Sequence, residues 1–440
     1  MNSIPACRIV VAVAATILLL GARAMPAQPV AMQGADDATI LEWFLKHTES
    51  NVARVTPEAL AAVEQAEDIC WVWVPYTQMP LLAYELTADP RYLDLFVGAM
   101  DSLLTRLRAA PDGYLGFRGL PYELFRNPAT PTAEADSDVA DFEVAHLICH
   151  FAELVQDDGT LRERYAAKLL AYLDVAEKNL VGPKLDSRQR YVDLGETGAI
   201  IRMPSEFGNY RDNLTNPHNK QSKFCRTYLA LYRVTGKDDY FRRAVKLGTR
   251  FKHTLKLVDD HYTWHYWDPA GDWDRKPDNP QEWKHWIGPE HRGGYHALTV
   301  QMATELYDHG VVFDRTDMQR FVNTQMQVCW NGSLEDPKFA NTAGEPMTDP
   351  NYLEMMAPAL ARFDPRIREY CYGSRATQDR LARREHGWQG GVGAMGYLAG
   401  KYLEPGTADP TRARYAEQFR QQADNAAFLQ TMRYDVGAGQ

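Results

Sequence analysis

YELTADPRY, residues 84–92, is echoed further along the chain by YRVTGKDDY, residues 232–240. Each copy reads as a helix end, a short polar turn and a new helix start. The second tyrosine of each copy heads the same apolar ladder. Tyr92, Phe96, Ala99 and Leu103 recur at i, i+4, i+7 and i+11, as do Tyr240, Ala244, Leu247 and Phe251. A third ladder, Tyr165, Leu169, Tyr172 and Ala176, follows the turn Asp157-Asp158-Gly159. That spacing keeps one face of a helix apolar.

The ladders begin at residues 92, 165 and 240, about 73–75 residues apart. Helical patterns also begin near Asp37 and at Thr56-Pro57-Glu58, a capping residue followed by proline in the first turn. Further helical segments fall at Asp138–Leu154, Gln221–Val234, Ala297–His309, Asp317–Trp330, Gly387–Leu403 and Thr411–Met432. Sequential helical hairpins with few strand signals predict an all-α fold: an (α/α)n toroid or incomplete barrel of antiparallel hairpins, with long loops at one end. A helical solenoid for protein binding is the alternative, but solenoid repeats are shorter and rarely carry so long an aromatic insertion.

The first 24 residues read as a signal peptide: Arg8 precedes the apolar run Ile9–Leu20, and Ala22-Arg23-Ala24 offers small residues for cleavage. Residues 25–36 read as a flexible leader, and 37–440 as one catalytic domain. The expected location is secreted or periplasmic, with no membrane contact after cleavage. Without Arg8 and Arg23 the chain carries 46 basic against 58 acidic residues, a net charge of −12. That argues against nucleic acid or an anionic membrane as partner. It leaves room for an anionic substrate in a local basic cleft. Five cysteines remain, Cys70, Cys149, Cys225, Cys329 and Cys371, with no CxxC spacing. Buried thiols are expected, with one or two disulfides as the alternative.

The stretch His261–His296, HYTWHYWDPAGDWDRKPDNPQEWKHWIGPEHRGGYH, holds five of the ten tryptophans and five of the twelve histidines. Pro269, Pro277, Pro280 and Pro289 exclude a continuous helix. Flat aromatic faces beside polar groups suit sugar rings, and Trp264, His265, Tyr266, Trp267, Trp286 and His291 are candidate substrate contacts. The plain alternative is an aromatic loop capping a core.

Two clusters carry candidate chemistry. Asn216, His218, Asn219, Lys220 and Lys223 surround the start of a helix, where free N–H groups and the dipole favour an anion. Arg292 and Tyr295 in EHRGGYH stand about one helical turn apart and can face one side, while Gly293-Gly294 permits a close backbone approach. These residue types suit β-elimination at a uronic acid. The C5 proton becomes removable once the carboxylate charge is neutralised, and a tyrosine supported by arginine can serve as base and acid.

A secretion signal, a helical-hairpin toroid, an Asn/His cluster before a mid-chain helix and a later Arg/Tyr cluster resemble the toroidal polysaccharide lyases. The alginate and glucuronan lyases are nearest, in particular polysaccharide lyase family 38. The resemblance implies that Asn216 and His218 neutralise the substrate carboxylate, that Tyr295 acts at the scissile bond and that Arg292 supports it. It implies an anionic polysaccharide such as alginate, polymannuronate or glucuronan. No cofactor is expected and no required metal, because His261 and His265 stand four apart with no acidic partner at metalloprotease spacing. Some relatives have Asn and His adjacent, whereas Pro217 separates them here, so Asn216 and Asn219 compete for that role. Tyr262 and Tyr266 compete with Tyr295, and His265 with His218.

A hydrolase acting on uronate oligosaccharides would need carboxylic acids instead. Asp138, Asp141, Glu143, Asp268, Asp272 and Asp274 are its candidates. A uronate epimerase would share the proton abstraction, and a non-catalytic glycan-binding protein would need none of these groups.

Overall fold

The computed structural model describes residues 28–33, 35–156, 158–206, 211–347, 354–382 and 393–404. The signal-peptide segment, part of the leader, the predicted helix Thr411–Met432 and residues 387–392 of Gly387–Leu403 lie outside the described residues.

The described protein is mostly helical. In chain order the helices are α1 (Ala35–Val52), α2 (Pro57–Ala61), α3 (Val74–Thr87), α4 (Arg91–Leu104), α5 (Asp138–Gln156), α6 (Gly159–Val175) and α7 (Lys184–Ser187). Then come α8 (His218–Thr235), α9 (Asp238–Thr254), α10 (Gly293–Asp308), α11 (Arg315–Asn323), α12 (Pro365–Gly373), α13 (Arg375–Ala382) and α14 (Ala394–Leu398). A π-helical turn, Ile69–Trp73, leads into α3. The strands are short antiparallel pairs, including Tyr191–Asp193 with Ala199–Ile201 and Lys256–Val258 with His261–Thr263.

The repeated sequence is a repeated structure. The residue four places after the first tyrosine adopts the left-handed conformation in both copies, Ala88 at φ 55° and Gly236 at φ 69°. Its N–H donates to Tyr84 O in one copy and Tyr232 O in the other, at 2.7 and 2.8 Å. The chain then reverses into α4 or α9. The predicted ladders face inward: Tyr92, Phe96, Ala99 and Leu103 on α4, and Ala244, Leu247 and Phe251 on α9, are buried. Tyr240 is half-buried and donates to Glu177. On α6, Tyr165 reaches back to Asp94 and Tyr172 to Asp101, so the ladder tyrosines also tie α6 to α4.

Helix α3 packs on α1, α4 and α5; α5 packs on α6 and α8; α8 packs on α9 and α10. Successive hairpins therefore stack side by side around one main core. Between α3, α5, α8 and α10 lies a cavity of about 470 Å³ whose charged groups are largely paired, Glu85 with His150 and Arg226 with Glu305. Asp37 on α1 accepts hydrogen bonds from Tyr397, Lys401 and Tyr402, so the start of the described fold is held by its end. All five described cysteines are buried free thiols, as expected. No helix among the described residues is long and apolar enough to cross a membrane.

Candidate active site

The aromatic stretch is irregular, as its prolines require, and wraps the start of α8. Thr215 is its anchor. The Thr215 N–H and hydroxyl donate to Asp274, both at 2.8 Å. The Trp267 and Trp273 indoles donate to the Thr215 carbonyl and hydroxyl oxygens at 2.8 and 3.0 Å. A second anchor is Asp268, which lies 3.1 Å from His218 Nε2 and 3.0 Å from His265 Nδ1. Burial pushes the Asp268 carboxyl up, but the two histidines outweigh it and hold it at about 2.

Those contacts decide which predicted residues reach the cleft. Pro217, extended at φ −67° and ψ 161°, turns the chain into α8. Asn216 on one side of it points back and donates to Ile201 O at 3.0 Å. His218 on the other side is buried against Asp268 and the edge of Phe251. Lys223 is buried in an ion pair with Glu143 at 2.6 Å. Trp264 stacks on His296 within the core, and Trp267 is wholly buried. Asn216, His218, Lys223, Trp264, His265 and Trp267 therefore frame the site and do not line it.

The cleft itself, about 370 Å³, draws on four stretches of chain. From the aromatic stretch and the start of α10 come Tyr266, His285, Trp286, His291, Arg292 and Tyr295. From the start of α8 come Pro217, Asn219 and Lys220, beside Met203 and Arg211. From the turns before α3 and α5 come Glu67, Trp71, Tyr122 and Phe125. The structure thus unites Tyr295, Arg292, Asn219, Lys220, Tyr266, Trp286 and His291 from the expected set.

Arg292 is the centre of this group. Its Nη1 lies 3.4 Å from the Tyr295 hydroxyl, and its guanidinium sits 5.3 Å from the Tyr295 ring and 5.9 Å from that of Tyr266. The two tyrosine rings stack at 5.7 Å. Glu290 organises the backbone beneath them, because its Oε1 accepts the N–H groups of His291 and Arg292 at 2.8 and 3.0 Å. Burial lifts the Glu290 carboxyl to about 7, against those two hydrogen bonds. Gly293 is required by close approach: a Cβ there would lie 1.8 Å from Glu354 O, whereas Gly294 has open space.

Burial holds the Tyr266 hydroxyl well above its ordinary range, so it stays protonated. Burial also lowers His285 and His291, leaving both neutral at pH 7. His285 stacks on Trp267, and His291 meets the edge of Trp286. Trp286 is 51% exposed, a large apolar face presented to solvent in a cleft otherwise rich in donors. It can lie there because Gly288 has no side chain; a Cβ would meet its ring at 1.9 Å. Asn219 Oδ1 is buried without a donor; with the amide turned end for end, the same position would present its N–H2 group to a ligand acceptor.

Glu67, Trp71, Tyr122, Phe125, Met203 and Arg211 went unrecognised in the sequence. The surrounding GFRGLPYELFRNPATP, residues 116–131, does repeat the aromatic, arginine, glycine and proline mixture of the main stretch. The carboxylates of the rival hydrolase reading are elsewhere or occupied. Asp138 is held by Arg190 at 2.7 Å, Asp141 by Lys184, Glu143 by Lys223 and Asp274 by Thr215, while Asp272 is on the surface.

No protein-family model matches this chain, and no curated protein is found to be similar to it. The site therefore has to be read from its own geometry.

Proposed function

We propose that this is a secreted or periplasmic polysaccharide lyase that cleaves uronic-acid chains by β-elimination. In this reading α3, α5, α8 and α10 form the inner layer, and α4, α6 and α9 the outer layer, of an (α/α) toroid whose loops build the cleft at one end.

The observation that carries the proposal is the Arg292–Tyr295 pair, placed in an aromatic cleft with Asn219 and with only one carboxylate, Glu67, among the described lining residues. A glycosidase needs two carboxylates across the scissile bond. An eliminating enzyme needs a neutralised substrate carboxylate and a proton carrier. Asn219, at the start of α8, turns its amide so that Nδ2 donates to the uronate carboxylate, in the role expected of Asn216 and His218. The C5–H bond breaks as its proton passes to the Tyr295 oxygen. The electron pair forms the C4–C5 double bond, the C4–O4 bond breaks, and O4 takes a proton from the same hydroxyl. Arg292 offers positive charge to the phenol oxygen while it is without its proton. Trp286 holds a neighbouring sugar ring on its exposed face.

Ultraviolet absorbance of unsaturated uronates tests this with purified mature protein on alginate, polymannuronate, polyguluronate, glucuronan and an alternating glucuronate–hexose polymer. A rise that is lost in Tyr295→Phe supports elimination. New reducing ends without absorbance would replace it with hydrolysis, and binding without either product would make the protein a glycan receptor.

A further inference from the structure

A polyanion cleft has no evident need of an acidic side chain, yet Glu67 lines this one. Its two oxygens are fixed by different donors. Lys220 Nζ reaches Oε1 at 2.6 Å, and the Trp71 indole N–H donates to Oε2 at 3.2 Å. The Trp71 ring is steadied in turn by Lys223, whose Nζ sits 5.0 Å from its centre. A flat aromatic ring and a rigid carboxylate thus stand side by side, with Tyr122 and Phe125 lining the same cleft.

This arrangement has two chemical consequences. The positive charge of Lys220 is met by Glu67, so it adds little attraction for a second substrate carboxylate. The Glu67 oxygens each keep a lone pair beyond the bond they already accept, and sugar hydroxyls are donors that can use it. A uronate placed there would bring like charge against Glu67 instead.

The geometry points to a subsite for an uncharged sugar, built from Glu67 and Trp71, beside the carboxylate-receiving group of Arg292, Tyr295 and Asn219. The preferred substrate is then a heteropolysaccharide in which uronic acids are separated by neutral sugars, not an unbroken polyuronate. This inference rests on the lyase reading for its catalytic arm, but not for its binding arm.

The test compares wild type, Glu67→Gln and Lys220→Met on glucuronan and on a polymer of alternating glucuronate and neutral hexose. Cleavage is followed by absorbance, and binding of matched oligosaccharides by tryptophan fluorescence, with thermal melts as the folding control. Wild type is expected to favour the alternating chain by on the order of tenfold. Glu67→Gln should narrow that preference by a similar factor, chiefly by lowering KM for glucuronan. Lys220→Met, which leaves the Glu67 charge uncompensated, should widen it. A wild-type preference for glucuronan, or a preference unmoved in whichever variants fold, would overturn the subsite. Absorbance from neither polymer, nor from alginate, polymannuronate or polyguluronate, would defeat the lyase reading alone, and the fluorescence titrations would still decide the subsite. Binding of neither oligosaccharide would overturn it.

Discussion

The Tyr295 hydroxyl and Arg292 Nη1 lie 3.4 Å apart across one turn at the start of α10, a contact in the cleft that joins a phenol to a fixed positive charge. Tyr295→Phe removes the oxygen and keeps the ring that stacks on Tyr266. Turnover should fall by at least about a hundredfold while the melting temperature stays close to that of wild type. Steady-state absorbance assays beside thermal melts check this, and a variant that retains most of its kcat would remove Tyr295 from the chemistry.

Trp286 offers a platform without packing into the core, so its loss should be felt in binding. Trp286→Ala is expected to raise KM about fivefold, consistent with roughly 1 kcal/mol of ring stacking, with kcat little changed. Gly288→Ala should give a similar KM effect, because its Cβ would push the indole aside. Kinetics of the two variants side by side would show whether they share a cause.

Gly293 and Gly294 are neighbours with opposite requirements. Gly293→Ala drives a Cβ into the Glu354 carbonyl and should destabilise the fold by about 2 kcal/mol or more. Gly294→Ala meets open space in a helix and should be neutral or stabilising by about 0.5 kcal/mol. Urea unfolding of both proteins measures the contrast.

Glu290 makes stability depend on pH in a stated direction. Its carboxyl is raised from 4.5 to about 7, so between those values the folded chain holds a proton that the unfolded chain has released. Its contribution is therefore most favourable below about 4.5 and declines as pH rises through 7, by up to about 3 kcal/mol. Asp268 acts oppositely: lowered from 3.8 to about 2, it stabilises above 3.8, and that stability fades as pH falls through 2. Denaturation of wild type and Glu290→Gln at pH 5 and pH 8 should show the variant with the smaller loss on going to pH 8. Equal slopes would mean that Glu290 ionises normally.

The helical hairpins were legible because their signal is local. Tyr84 and Tyr232 each lie four residues before the left-handed cap, and the ladders that follow need only 3.6-residue periodicity. The cap itself was written once as Ala88 and once as Gly236, so a search for glycine alone would have missed one copy. Gly236→Ala should consequently cost about 1 kcal/mol, a value that a thermal melt can read. Arg292 and Tyr295 were legible for the same reason, being one turn apart on one helix. The Glu67 and Trp71 side of the cleft was not, since it meets α10 only through folding. Asn216 and His218 are turned away from the cleft by a subtler effect. At a helix start the chain changes direction within two residues, so adjacent side chains part company: Asn216 goes to Ile201, His218 to Asp268, and Asn219 alone of the three faces the cleft.

The hold of Asp37 by Tyr397, Lys401 and Tyr402 spans 360 residues or more of sequence. At ordinary rates of synthesis, on the order of 5–20 residues per second, the partners of Asp37 are made roughly 20–70 s after it. For that interval α1, with Phe44 destined for the interior, has its last neighbour still unmade. The described fold is thus latched by residues made long after the one they hold.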